Sequence, residues 1–234
     1  MFDWFTWLWT WFADGLGREV LFRTYQHIYL TVIALAIAIA IALPLGVILA
    51  RTRFRGLAQG VLAAAGVIQT VPTLALIAFV VAIFAAMQKA GWIDLPAIGV
   101  FPGIVALTLY ALLPILRNTF TGIQQVDASV IEVARGMGMK PSQILTTVEL
   151  PLALPVIMAG VRISTVWTIG IAALAGLIGA GGTGAIIMRG LQMVNIKLLL
   201  AGTIPAAALA VLFDWLLGRM EIWLTPSGMR QSQQ

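Results

Sequence analysis

Five apolar runs, at approximately residues 28–50, 62–87, 98–116, 152–179 and 198–217, constrain this chain more than any other feature. Each supplies roughly the 20 helical residues needed to cross the hydrocarbon of a bilayer. The alternation Ala34-Leu35-Ala36-Ile37-Ala38-Ile39-Ala40 looks strand-like, but every residue in it is apolar. The run containing it also exceeds the roughly 9–11 residues of a barrel strand, so a helix is expected. Of the 234 residues, 61% are hydrophobic and only 10% charged, where soluble domains carry about 25% charged residues. So few polar groups cannot cover a globular surface, and the expected fold class is an all-α integral membrane protein with five transmembrane helices. The net charge of +5 is scattered without a basic run, which argues against nucleic-acid binding. The absence of cysteine excludes disulfides, thiolate metal sites and cysteine nucleophiles. No metal site, cofactor or catalytic residue is expected.

The first 26 residues read as a separate segment. Residues 1–17 contain Asp3 and Asp14 but no lysine or arginine, unlike the basic start of a secretory signal. Trp4, Trp7 and Trp11 fall on one helical face, which predicts a short helix lying in the headgroup region. Residues 27–219 then form the transmembrane domain, with a cytoplasmic loop at 117–151, and residues 220–234 form a tail. Arg51, Arg53, Arg55, Arg117, Arg135, Lys140, Arg219 and Arg230 lie on one side of the spans. Arg18, Arg23, Lys89, Arg189 and Lys197 lie on the other. By the positive-inside rule the richer side is cytoplasmic, so the N-terminus is outside and the C-terminus inside.

Two spans carry polar groups. Gln69-Thr70-Val71-Pro72-Thr73 interrupts the second, and the proline predicts a kink. Such a break lines a pathway or supplies interhelical hydrogen bonds, and both readings stand. Arg162 lies about 15 Å along the fourth span from its cytoplasmic start. Asp214, near the inner end of the fifth span, is the only acid within a span; pairing with Arg162 is expected ahead of a substrate contact by the two.

The polar stretch between the third and fourth runs has good helix grammar. Ser129-Val130-Ile131-Glu132 reads as a capping box with Ser129 as N-cap. Gly136 and Gly138 are suited to ending that helix, and Pro141 to starting a second one. The second helix should end before Pro151. Within this stretch, Glu132, Ala134 and Gly138, followed by Val148-Glu149-Leu150-Pro151, follow the pattern E-x-A-x-x-x-G, nine residues, V-x-L-P. That pattern resembles the "EAA" loop of permease subunits of bacterial ABC importers. Further segments resemble the osmoprotectant branch of these permeases. They are residues 68–73, 113–119, 166–170 and 177–184, and the likeness runs from about residue 20 to 220. Val133 and Val148 depart conservatively from the pattern.

The resemblance implies a type I ABC importer permease fold in the bacterial inner membrane. Glu132, Ala134, Gly138, Leu150 and Pro151 would form the loop that docks on a separate ATPase. It also implies two ATP-binding subunits, a second permease subunit (identical or similar) and an extracytoplasmic solute-binding protein. The solute would be of the glycine betaine, choline or carnitine kind. Aromatic faces attract such quaternary cations, so Tyr110 and Trp167 join Thr70 and Pro72 as candidate path residues.

Residues 179–184 spell G-x-G-x-x-G, yet no strand precedes them and no acid follows before Asp214, so a dinucleotide site is not expected. No G-x-x-x-x-G-K-[ST] occurs, so ATP would be handled by another chain. A membrane serine protease would need His27, the only histidine, at the depth of Ser164. The expected depths differ, and His27 reads as an interfacial anchor. A secondary transporter would leave the cytoplasmic loop without a role. An importer of another small solute, such as an amino acid, stays open.

Overall fold

The computed structural model describes residues 15–225, and the tryptophan-rich expectation for residues 4–11 falls outside them. Every described element is helical. Helix α1 spans Leu16–Arg51, α2 Arg55–Thr70, α3 Thr73–Lys89 and α4 Val100–Gln124. The loop region holds α5, Ala128–Gly136, and α6, Pro141–Ile144, which runs through a π-helical turn at Leu145–Glu149 into α7, Leu150–Ala175. Then come a short 3-10 turn at Gly176–Ile178, α8 at Thr183–Gln192 and α9 at Ile196–Leu224. Four stretches are each long and apolar enough to cross a membrane: Leu16–Arg51, Val100–Gln124, Pro141–Ile178 and Ile196–Leu224. The pair α2 and α3 makes the fifth if counted as one broken span.

The second apolar run is therefore not a kinked helix. Val71 (ψ 127°) and Pro72 (ψ 135°) are both extended and divide it completely. Proline disfavours the helical region for the residue before it, which here ends α2 instead of bending it. Elsewhere proline is absorbed: Pro44, Pro114, Pro155 and Pro205 all sit inside long helices. Side chains repair some of the disturbed backbone, as where the Asn118 amide donates to the Pro114 carbonyl at 2.8 Å. The chain start and end also differ in extent from the apolar runs, since α1 begins at Leu16 and α9 reaches Leu224.

Two compact units share the four long helices. One draws on the stretch ending at Ala34, on Pro72–Leu107 and on Thr168–Val211. Its buried cluster is Leu30, Ala34, Leu107, Ala172, Ala175 and Ala180, built largely of alanine. A Cβ on Gly184 would lie 1.9 Å from the Ala173 carbonyl oxygen, and one on Gly202 2.8 Å from the Thr183 carbonyl. Lipid offers no hydrophobic drive to pull helices together, so close backbone approach through small residues holds them. The other unit comprises Leu35–Val71, Thr108–Trp167 and the chain from Leu212 onward. Leu35, Ala38, Ala42, Leu49, Ala111, Ile115 and Leu116 form the heart of its core. Gly160 and Gly46 permit the same close contact there, against the side chains of Asn118 and Thr119.

Candidate coupling loop and candidate path

Helix α5 starts differently from the expected capping box. Its N-cap is Asp127, whose carboxylate accepts the Ser129 backbone N–H at 2.8 Å. Ser129 and Asp127 are both cap-forming residue types, and the carboxylate takes the role because it bears the charge that favours a helix N-terminus. The Ser129 backbone N–H, and then its hydroxyl, hold the exposed Asp127 carboxyl below the usual carboxylate range. The helix ends at Gly136, and Gly138 follows with φ +79°, a left-handed conformation that glycine adopts without strain. Of the five residues assigned to the loop motif, Ala134 is buried while Glu132 and Gly138 are exposed. Leu150 and Pro151 are half-buried. Val130, Val133 and Met137 are apolar yet 41%, 63% and 70% exposed. Val130 and Val133 share one face of α5, and Met137 follows just past its end.

The second loop helix does not stop before Pro151. The wide turn at Leu145–Glu149 carries it directly into α7. A proline ring clashes with the carbonyl four residues earlier, and a π-turn shifts that carbonyl away. The joint is pinned from the end of α1. Arg51 Nη2 donates to the Pro141 carbonyl at 3.0 Å, and its Nε lies 3.4 Å from Glu149 Oε2. The Glu149 side chain is only 7% exposed, and Oε2 accepts no hydrogen bond. The contact with Arg51 is thus an ion pair without hydrogen-bond geometry. Gln124 adds a second tie, its amide donating to the Ala50 carbonyl at 3.0 Å. None of these links was anticipated, because Glu149 occupies a variable position of the loop pattern and Arg51 reads as a topology signal.

Thr70 and Pro72 are both exposed at the break between α2 and α3. Thr70 turns its hydroxyl back onto the Val67 carbonyl at 2.7 Å. Tyr110 is 8% exposed. Its hydroxyl donates to the Val71 carbonyl, and its own carbonyl accepts the Gln69 amide at 3.3 Å. Tyr110 therefore props the broken backbone, where a freed carbonyl would otherwise lack a partner. Trp167 differs, being 53% exposed.

Arg162 meets Asp214 in a two-point contact, Nε to Oδ1 and Nη2 to Oδ2, each at 3.0 Å. A third member is Glu221, whose Oε2 accepts from Nη1 at 3.2 Å. Glu221 lies in the part of α9 that was read from sequence as a tail, so it entered no intramembrane pairing. Together the three side chains satisfy the guanidinium fork in the planar fashion arginine favours.

His27 is fully buried and is not an interfacial anchor. Its Nε2 is 2.9 Å from the Ile169 carbonyl and its Nδ1 2.9 Å from Thr183 Oγ1. A carbonyl only accepts, so Nε2 carries the proton, and Nδ1 accepts the threonine hydroxyl. Gln26 accepts the Gly182 amide at 3.3 Å, which fastens the glycine turn to α1. Ser164 donates to the Ala111 carbonyl at 2.9 Å. Both residues of the protease alternative thus have structural partners of their own.

The described residues hold only helices, with four or five candidate spans and a two-helix polar loop, the layout of a multi-pass membrane domain. Residues 42–224 match the model of the binding-protein-dependent transport system inner membrane component, and the chain belongs to that family of multi-pass membrane permeases. It is 42% identical to the choline transport system permease protein OpuBB of Bacillus subtilis (strain 168), covering 95% of this chain and 96% of that one. It is 41% identical to the carnitine transport permease protein OpuCB of Listeria monocytogenes, covering 96% of both. Its fold is similar to that of an inward-facing MetNI methionine ABC transporter, with a TM-score of 0.80 at 24% identity, covering 91% of this chain and 99% of that chain. The type I importer permease fold expected from the sequence is therefore the observed fold.

Proposed function

We propose that this chain forms the membrane path of an ATP-driven importer for small quaternary-ammonium solutes, with choline, carnitine and glycine betaine the leading candidates. Near-full-length identity of about 40% to permeases named for choline and carnitine transport carries the reading. The exposed apolar face of α5, together with Glu132, Ala134, Gly138, Leu150 and Pro151, docks on a separate ATPase. That partner performs the hydrolysis, while this chain supplies no catalytic group. Two ATPase subunits, a second permease copy or a similar subunit, and an extracytoplasmic binding protein complete the machine. Closing of the ATPases moves the loops and alternates access. The path runs past Thr70, Pro72 and Trp167, with Tyr110 holding the break open. The N-terminus is outside and the C-terminus inside. The lack of cysteine makes that orientation simple to test, since a cysteine at Lys89 should react with impermeant maleimide in intact cells and one at Ser142 only after lysis.

The function is tested by uptake into vesicles bearing the complete transporter. Labelled choline, carnitine and betaine should accumulate with ATP, whereas methionine, phosphate and maltose should not. Uptake of an amino acid or an anion with no response to any quaternary amine would refute the solute class.

A further inference from the structure

A cavity of about 330 Å³ opens beside the Arg162 cluster, lined by Ala159, Arg162, Ile163, Val166, Trp167 and Asp214. The α7 residues among them recur at helical spacing, so one face of that helix forms the wall. Two of its lining residues are well exposed: the Trp167 residue is 53% accessible and the Asp214 side chain 43%. The cluster's charges do not balance. Among the described residues, one guanidinium faces two carboxylates, Asp214 and Glu221, leaving one negative charge over. Among the described residues, Arg219 stands over the Trp215 ring at 5.3 Å and forms no ion pair with either acid. An uncompensated charge in an apolar span is costly, and it is relieved by a counter-cation. Asp214 already accepts two short bonds from Arg162, so a further cation need bring no hydrogen-bond donor. It needs charge and an apolar surface to set against indole.

We propose that this cavity binds a trimethylammonium group, held by the Trp167 face and the surplus carboxylate charge of the Asp214–Arg162–Glu221 cluster. The inference rests on the importer reading and deepens it by placing a low-affinity solute site within the permease. A positively charged methylated nitrogen is attracted to the ring face, and the aliphatic wall accepts its methyl groups. A second cavity, lined by aromatics at Phe22, Tyr25 and Tyr29, is a poorer host. It contains no carboxylate, and Phe22 already has the Arg23 guanidinium 5.9 Å from its ring centre.

The test is binding of tetramethylammonium and choline to the complete transporter without its solute-binding protein. The membranes are phosphatidylethanolamine and phosphatidylglycerol, which contain no quaternary amine. Trp167→Ala should weaken binding by roughly three- to thirtyfold, the range expected for a cation on an aromatic face, while Trp167→Phe retains most of it. Glu221→Gln, which leaves the two-point Asp214 contact in place, should also weaken binding. The uncharged carbon isostere of choline should bind more weakly than choline. Equal binding of the isostere, or unchanged affinity in Trp167→Ala or Glu221→Gln, overturns the proposal. Addition of phosphatidylcholine separates the two sources of the headgroup, and displacement of choline by the lipid would assign the cavity to lipid and overturn its role in transport. Choline uptake by the wild-type complex is measured in parallel. Uptake without cavity binding removes this site alone, whereas binding without uptake removes the importer reading and leaves the cation site standing.

Discussion

Two glycine-containing segments, 176–184 and 136–138, use the same residue for different reasons. In the first, the glycines are demanded by the chain itself. A Cβ at Gly176 would lie 2.6 Å from the Gly184 backbone, and one at Gly184 1.9 Å from the Ala173 carbonyl. Gly181 and Gly182 combine left-handed φ values of +87° and +71° with contact against Gln26 and His27. In the second, a Cβ on either Gly136 or Gly138 meets nothing within 4 Å. Gly138 needs glycine for its backbone conformation, while Gly136 has a helical backbone and open space around it. Among the described residues, nothing therefore requires Gly136 to be small. The first segment is tuned to its own fold, while the second has open space beside it, where the proposed ATPase contact would lie. Whether packing demands a glycine is thus decided by the neighbouring atoms, which crowd Gly184 and leave Gly136 open.

The contrast is sharpest in its effect on folding. Gly184→Ala forces a methyl into backbone that cannot yield cheaply. It should cost roughly 3 kcal/mol, visible as a lowered melting temperature of the purified protein in detergent. Wild-type melting in that variant would erase the difference between the segments. Gly138→Asp should do the opposite. Aspartate tolerates the left-handed region at a cost of about 1 kcal/mol, so the chain should insert and melt nearly normally. Transport and co-purification of the ATPase should nevertheless be lost, and normal uptake would remove the docking assignment.

A smaller effect is expected where the loop is tied to α1. Arg51→Ala leaves the buried Glu149 carboxylate without its cation, which should destabilise the 141–149 region by about 1–3 kcal/mol. Faster amide hydrogen exchange there is the readout, with added Glu149→Gln recovering part of the loss in a double-mutant cycle. If the double variant is no better than Arg51→Ala, the pair is not coupled. The mildest change is at Asp127. Asp127→Ala removes the α5 cap and should fray its first turn, with Asp127→Asn close to wild type. Because hydrogen bonding lowers the folded-state pKa of Asp127, its contribution is complete above the ordinary aspartate pKa. It should disappear as pH falls through the lowered folded value. Loop exchange rates that ignore pH across that acid window would show the cap to be idle.

The membrane class, the number of apolar runs and the position of the polar loop were all legible, because hydrophobicity and helix punctuation are local signals. Pro72 announced a disturbance in the second run, but proline signals either a bend or a stop. The props from Gln69 and Tyr110 accompany the stop seen here. Pro151 was misread for the same reason. It follows a π-turn that no local rule at 141–151 announces.

What the sequence alone determined is whatever depends on neighbours within about one turn: apolar spans, glycine conformations and the residues able to cap a helix. What tertiary structure decided is partnership across the chain. Arg162 finds Glu221 as well as Asp214, at separations of 59 and 52 residues. His27 reaches Thr183 across 156 residues, and Arg51 reaches Pro141 across 90. A charged or polar side chain taken out of water must find a partner. Composition states that need, and only packing of the helices determines which partner is near enough to meet it.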